Sequence, residues 1–167
     1  MGTGKSSVGR IIARQLNFAF VDTDQLIEAR THKSISSIFA EQGEIAFRES
    51  EAKVVTELAS QRQLVIAAGG GLVVDAMNFA SLRHHALIFC LWASAETIWQ
   101  RVCNQAHRPL LQGPDPLGTI RKLLAERKPA YLKADILVNT EQRSAREVAQ
   151  QVIYEFRQAK PGNKCEN

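Results

Sequence analysis

With 167 residues, 45% of them hydrophobic and 23% charged, the chain has the length and composition of one domain that buries its own core, which excludes a globally disordered polypeptide. A net charge of +4, with no block of like charges and no interleaving of basic and aromatic residues, gives no nucleic-acid face and assigns the cationic excess to an anionic small molecule. No apolar run reaches the length of a membrane span, residues 1–20 lack a signal-peptide core, and Cys90, Cys103 and Cys165, odd in number and far apart, read as reduced thiols of a cytoplasmic protein. His32, His84, His85 and His107 show no metal-ligand spacing and read as scattered surface residues.

The chain opens on Gly2-Thr3-Gly4-Lys5-Ser6-Ser7, the chemical half of the phosphate-loop pattern G-x-x-x-x-G-K-[ST]. Successive N–H groups around Gly2 to Lys5 can cup phosphate oxygens, Lys5 can reach the β- and γ-phosphates, and the Ser6 hydroxyl can ligate Mg²⁺. Taken alone, so short a match leaves open a glycine- and serine-rich start of no consequence. Val8, Ile11, Ile12 and Leu16 recur at helical spacing, so residues 5–16 are the helix such a loop opens.

Phe18–Val21 is a short apolar run ending at Asp22-Thr23-Asp24, as expected of a buried parallel strand with polar residues at its carboxyl end. Asp24 is expected to cap a helix over about 24–31. A short helix over about 34–41 should stop at Gly43, and a longer one should run from Glu44 to about Arg62. Residues 64–68 form the next strand and break at Gly69-Gly70-Gly71; a helix follows over about 75–82. Ala86–Trp92 reads as a central strand covered on both faces. Ser94 caps a helix over about 95–103, and residues 104–116, with three prolines and a glycine, cannot be regular structure. Pro116 opens a helix to about 133, Ile136-Leu137-Val138 is the last strand, residues 144–159 close the fold, and 160–167 read as a flexible tail. The alternation argues an α/β three-layer fold with a parallel sheet, in one domain over residues 1–159.

Ligands bind at the carboxyl ends of strands in open α/β sheets, which singles out Gly2–Ser6, Asp22 with Asp24, and Gly69–Gly71. Asp22 could help hold Mg²⁺ beside Ser6, and Asp24 could accept a hydrogen bond from a substrate hydroxyl; plain loop and cap duty is the alternative for both. The glycine run admits either a tight turn or close approach of backbone to a ligand.

In combination, G-T-G-K-S-S-V-G-R, D-T-D at 22–24, G-E-I-A-F-R-E-S-E around Arg48, A-G-G-G at 68–71, R-P-L-L at 108–111 and E-R-K-P-A-Y at 126–131 resemble shikimate kinase, over about residues 2–158. The resemblance implies ATP-dependent phosphorylation of the 3-hydroxyl of shikimate, with Mg²⁺, by a cytoplasmic monomer. Arg48 and Arg127 match the family's carboxylate-binding arginines, a role suited to bidentate pairing. Asp24 matches the aspartate that holds the ring hydroxyls, and Gly69, Gly70 and Gly71 match the run that closes on substrate. Arg48 could instead make a helix salt bridge with Glu44 or Glu51, and Glu51 is expected to orient Arg48. The stretch 104–116 corresponds to the family's lid, on which Arg108 would bring charge to the transferring phosphoryl group; otherwise it is an exposed loop arginine. Arg101 and Arg143 match positions flanking the adenine, joining Gly2, Thr3, Gly4, Lys5, Ser6, Ser7 and Arg108 as nucleotide-binding candidates. Lys5, Asp24 and Arg108 are the catalytic set, and Ser6 and Asp22 the metal set.

One departure concerns the first strand. The strand that leads into a phosphate loop, central in such folds, would lie ahead of Gly2, so the chain as written is expected to start at a methionine internal to the family pattern, to lack that strand, and to be poorly stable or weak in nucleotide binding. Two rivals stand beside the main reading: another small-molecule phosphate-loop kinase such as a gluconate kinase, and a kinase-like binding or regulatory module without turnover.

Overall fold

Gly4, in the left-handed region at φ 87°, ends the loop and hands over to helix α1, Lys5–Leu16, whose buried Val8, Ile12 and Ala13 fall on one face. The computed structural model describes residues 2–103 and 113–159. In chain order there follow β1 (Ala19–Asp22), α2 (Thr23–Thr31), α3 (Ile35–Leu58), β2 (Leu64–Ala67), a 3-10 turn at Leu72–Val74, α4 (Ala76–His85), β3 (Phe89–Trp92), α5 (Ala95–Val102), α6 (Pro116–Tyr131), β4 (Ile136–Asn139) and α7 (Ala145–Gln158). The proposed lid lies mostly outside the described residues, as do Arg108, Cys165, His107 and the tail.

Each strand has two faces, and the sequence alternates accordingly. Val65 of β2, Phe89 and Leu91 of β3 pack on the cluster that α1 and α7 bury: Val8, Ile12, Val148, Ala149, Val152 and Ile153, with Val138 of β4. Leu64 and Ile66 of β2 turn the other way, onto Ile27, Ile38, Phe47, Val54 and Leu58 of α2 and α3. Ile66 also meets Ile88 in a cluster around Val55, Leu72 and Leu82. Helices therefore cover both faces of the strands, the three-layer α/β arrangement that the alternation predicts.

The strands form two parallel pairs, not one continuous sheet. β1 pairs with β2 in the register Ala19 to Leu64 through Asp22 to Ala67, and β3 pairs with β4 from Phe89 and Ile136 to Trp92 and Asn139. Among the described residues no strand joins the pairs. β3 is correspondingly shorter than the seven-residue central strand the apolar run predicts, and Trp92 at its end is 43% exposed. Apolar composition fixes that a segment is buried enough to be a strand; it does not fix which strand lies on either edge.

One local reading changes. Asp22, not Asp24, caps α2: its Oδ1 accepts from the N–H groups of Asp24 at 3.2 Å and Gln25 at 3.4 Å. The cap must be the last residue with extended backbone, and Asp22 (φ −104°, ψ 119°) is that residue. The two helices expected on either side of Gly43 do meet there, within the span α3, where Gly43 (φ 81°, ψ 176°) breaks the helix in a conformation open to a residue without Cβ. Asp75, Ser94, Asp115 and Ser144 cap α4 to α7 with their side chains, and Ser144 and Glu147 complete a capping box.

Candidate active site

One cavity of about 470 Å³ receives the ends of β1 and β2, the start of α1, and faces of α3, α5 and α6. Its loop side carries Gly2, Gly4, Lys5, Ser6 and Ser7. Thr3 is buried behind this loop and does not line the cavity. The Ser6 hydroxyl donates to Asp22 Oδ2 at 2.6 Å, which brings the two proposed metal donors together. Asp22 thus serves twice, with one carboxylate oxygen on the helix start and the other on Ser6. A hydroxyl and a carboxylate are hard oxygen donors of the kind Mg²⁺ takes.

Asp24 lies one residue into α2, and its carboxyl is raised above the usual range, first by burial and then by the neighbouring Asp22 charge; Lys5 pulls it back down. Gly69 packs against it so closely that a Cβ there would stand 2.5 Å from Asp24 Oδ1 and 3.2 Å from Glu51 Oε1. A side chain at this position would have to push the Asp24 carboxylate aside. The turn is held from behind by Thr23, whose buried Oγ1 accepts from Gly69 N–H at 2.9 Å, and by Leu72 N–H donating to the Gly69 carbonyl at 3.2 Å.

Arg48 enters the cavity from α3 with its charge already engaged. Nη1 donates to Glu51 Oε2 at 2.6 Å, and Nη2 and Nε donate to Glu44 Oε1 at 2.8 and 3.2 Å. Three of the five guanidinium N–H groups are spent on these partners, which leaves two for a ligand. The salt bridge and the cavity position, posed as alternatives by the sequence, coexist. Glu51 is 1% exposed, and burial pushes its carboxyl up while the Arg48 hydrogen bond and charge oppose the rise. Phe47, whose ring packs on Phe39 with centroids 4.8 Å apart, lies 5.5 Å below the Arg48 guanidinium and limits where it can swing.

Arg127 reaches the same cavity from α6, and Arg101 from α5. Arg101 is fixed by Thr140, donating to its hydroxyl at 2.9 Å and its carbonyl at 2.6 Å. Arg143 does not line the cavity. It caps structure nearby, with Nη1 on Gln151 and the Asn139 carbonyl and Nη2 on the Glu147 carbonyl. Two contributors were named in the sequence only as parts of motifs: Thr23, the middle of D-T-D, and Tyr131, the end of E-R-K-P-A-Y, whose hydroxyl donates to the Gly70 carbonyl at 2.8 Å. The signal that could have found Tyr131 is its place one helical turn after Arg127.

The cavity can therefore hold an anion on backbone amides and Lys5, and a second anionic, hydroxyl-bearing group among Arg48, Arg127, Asp24 and the glycine turn. No group of three or more His, Cys, Asp or Glu suited to a metal occurs among the described residues, and no described helix is long and apolar enough to cross a membrane.

The family model for shikimate kinase matches residues 1–157. A shikimate kinase from Thermodesulfovibrio yellowstonii is 41% identical over 97% of this chain and 94% of its own. Among solved structures, the shikimate kinase from Acinetobacter baumannii in complex with shikimate superposes with a TM-score of 0.91 and 37% identity, covering 96% of this chain and 90% of the other. The Bacteroides thetaiotaomicron enzyme gives 0.87 and 30%, with 94% of each chain covered. Matched over nearly its whole length in sequence and in fold, the chain belongs to the shikimate kinase family.

Proposed function

We propose that the protein transfers the γ-phosphoryl group of ATP to the 3-hydroxyl of shikimate, giving shikimate 3-phosphate and ADP. The observation that carries this reading is the single cavity shared by Lys5 and Ser6 with Asp24, Arg48 and Arg127. Phosphoryl transfer needs the acceptor hydroxyl aligned with the γ-phosphate and the spread charge neutralised, with little covalent chemistry from the protein. The N–H groups of Gly2 to Lys5 and the Lys5 ammonium hold the phosphates. Arg48 and Arg127 anchor the carboxylate of the acid, and the Gly69–Gly71 backbone closes on its ring.

Asp24 takes the acceptor hydroxyl as hydrogen-bond donor and orients it. Its raised affinity for a proton equips it to receive the one the hydroxyl releases. Mg²⁺ arriving with ATP would be held by Ser6, with Asp22 directly or through water, and supplies charge neutralisation on the phosphates. Arg101 serves the nucleotide side, and Arg108, in the R-P-L-L segment, is the further cation for the transferring group. Arg143 supports the adenine end through the turn before α7. The protein works in this reading as a cytoplasmic monomer on two small molecules, with neither nucleic acid nor membrane as partner.

The test is shikimate-dependent ADP release by the purified chain, with gluconate as competing substrate and Lys5→Ala and Arg108→Ala in parallel. ADP release with shikimate and not gluconate, lost in both variants, is the expected result. Activity that survives Lys5→Ala, or shikimate binding without turnover in the unmodified chain, overturns it.

A further inference from the structure

We propose that Tyr131 is a positioning residue for the acid end of the site, acting through Arg127 by tying the end of α6 to the glycine turn. The inference rests on the shikimate reading above and adds to it a residue that touches neither substrate. Three observations converge on it.

The first is the bond itself, Tyr131 Oη to the Gly70 carbonyl at 2.8 Å, which joins α6 to a residue of the cavity lining 61 positions away in sequence. The second is the build of α6. Pro129 lies inside the helix and has no N–H, so the Ala125 carbonyl loses its partner in the ladder at the turn that carries Arg127. A helix weakened there does not fix the direction of Arg127 by its own hydrogen bonds. The third is spacing: Tyr131 follows Arg127 by four residues and so sits on the same face, where both border a small apolar recess formed with Ile98, Ile120 and Leu124.

The other end of the tether is rigid. Gly69 is held by Thr23, and the Gly71 carbonyl accepts from Val74 N–H at 3.0 Å, so Gly70 is an anchored point and not a loose loop. Because the Gly70–Gly71 peptide is planar and trans, holding its carbonyl also sets the direction of the Gly71 N–H. One phenol thereby fixes the distance between the arginine on α6 and the backbone that faces the ring of the acid.

The experiment is steady-state kinetics of Tyr131→Phe, which keeps the ring and removes the hydroxyl, with shikimate and ATP varied separately. The expected result is a rise of about three- to tenfold in KM for shikimate, with kcat and KM for ATP within about twofold of the unmodified chain. A shikimate KM that does not move overturns the proposal. So does a parallel rise in both KM values, the mark of a general loss of structure. In an Arg127→Lys background, removing the hydroxyl should change the shikimate KM by less than about twofold, because the group it positions is already altered. A full repeat of the single-variant effect there overturns the route through Arg127. The unmodified chain in the same assay separates this inference from the function beneath it: absence of shikimate-dependent ADP release sinks the proposed reaction, whereas normal release with an unchanged Tyr131→Phe profile sinks only the tether.

Discussion

Along the phosphate-loop wall of the cavity, Gly2, Gly4, Lys5, Ser6 and Ser7 come from one short stretch, and the helix they open supplies the field that favours an anion. The wall that holds Arg48, Gly69–Gly71 and Arg127 is gathered from three distant segments, and nearly every group on it is pinned by something else: Arg48 by Glu44 and Glu51, Gly69 by Thr23, Gly70 by Tyr131. The first wall is organised by local backbone geometry. The second is organised by side chains that must be paired before the ligand arrives, since an unpaired buried carboxylate such as Glu51 would be costly.

That difference can be broken by substitution. Lys5→Ala should give the largest effect, a fall in turnover of about 10²–10³-fold with shikimate binding nearly unchanged, read by kcat beside a calorimetric titration of shikimate. Arg127→Ala should do the reverse, raising KM for shikimate by about 30–100-fold while KM for ATP stays within about twofold. If both substitutions moved both substrates equally, the two walls would not be separate devices. Arg48→Ala should match Arg127→Ala in substrate affinity and add a loss of stability of about 3 kcal/mol, seen in denaturant unfolding, because Glu51 is left buried without its cation.

Smaller effects sharpen the picture on the acid wall. Gly69→Ala forces a methyl group against Asp24 and Glu51, and KM for shikimate should rise about tenfold. Asp24→Asn should change stability in a pH-dependent way. Burial and Asp22 raise the Asp24 carboxyl in the native state, so its ionised form costs stability above the ordinary carboxylate range, a cost that vanishes where the group is protonated in folded and unfolded states alike. The variant should therefore melt higher than the unmodified chain at neutral pH, and the gain should shrink as pH falls through the raised carboxyl range and be gone below about 4. A gain that grows in acid would contradict the raised carboxyl.

Much of the fold was legible because the helices announce themselves. Val8, Ile11, Ile12 and Leu16 repeat at helical spacing, and Ser94 stands where its side chain can cap a helix. The family and its three-layer α/β class were legible for the same reason that the motifs are long and ordered along nearly the whole chain. The cap of α2 was misplaced by two residues because Asp22 and Asp24 are chemically identical and only backbone conformation separates them. The split of the strands into two pairs agrees with the expectation that the chain as written lacks a central strand, whereas the partner of each strand was not legible, because an apolar run such as Ala86–Trp92 records burial and not its neighbours.

By itself the sequence determined the phosphate loop, the order of strands and helices, and the set of charged residues available, all of which depend on chemistry within a few residues. Only the tertiary structure decided that Arg143 turns away to α7 and that Tyr131 reaches Gly70. The physical reason is range. A cap or a glycine turn is settled by its own backbone, whereas the partner of a long polar side chain is settled by which other segment folding brings within about 3 Å of it.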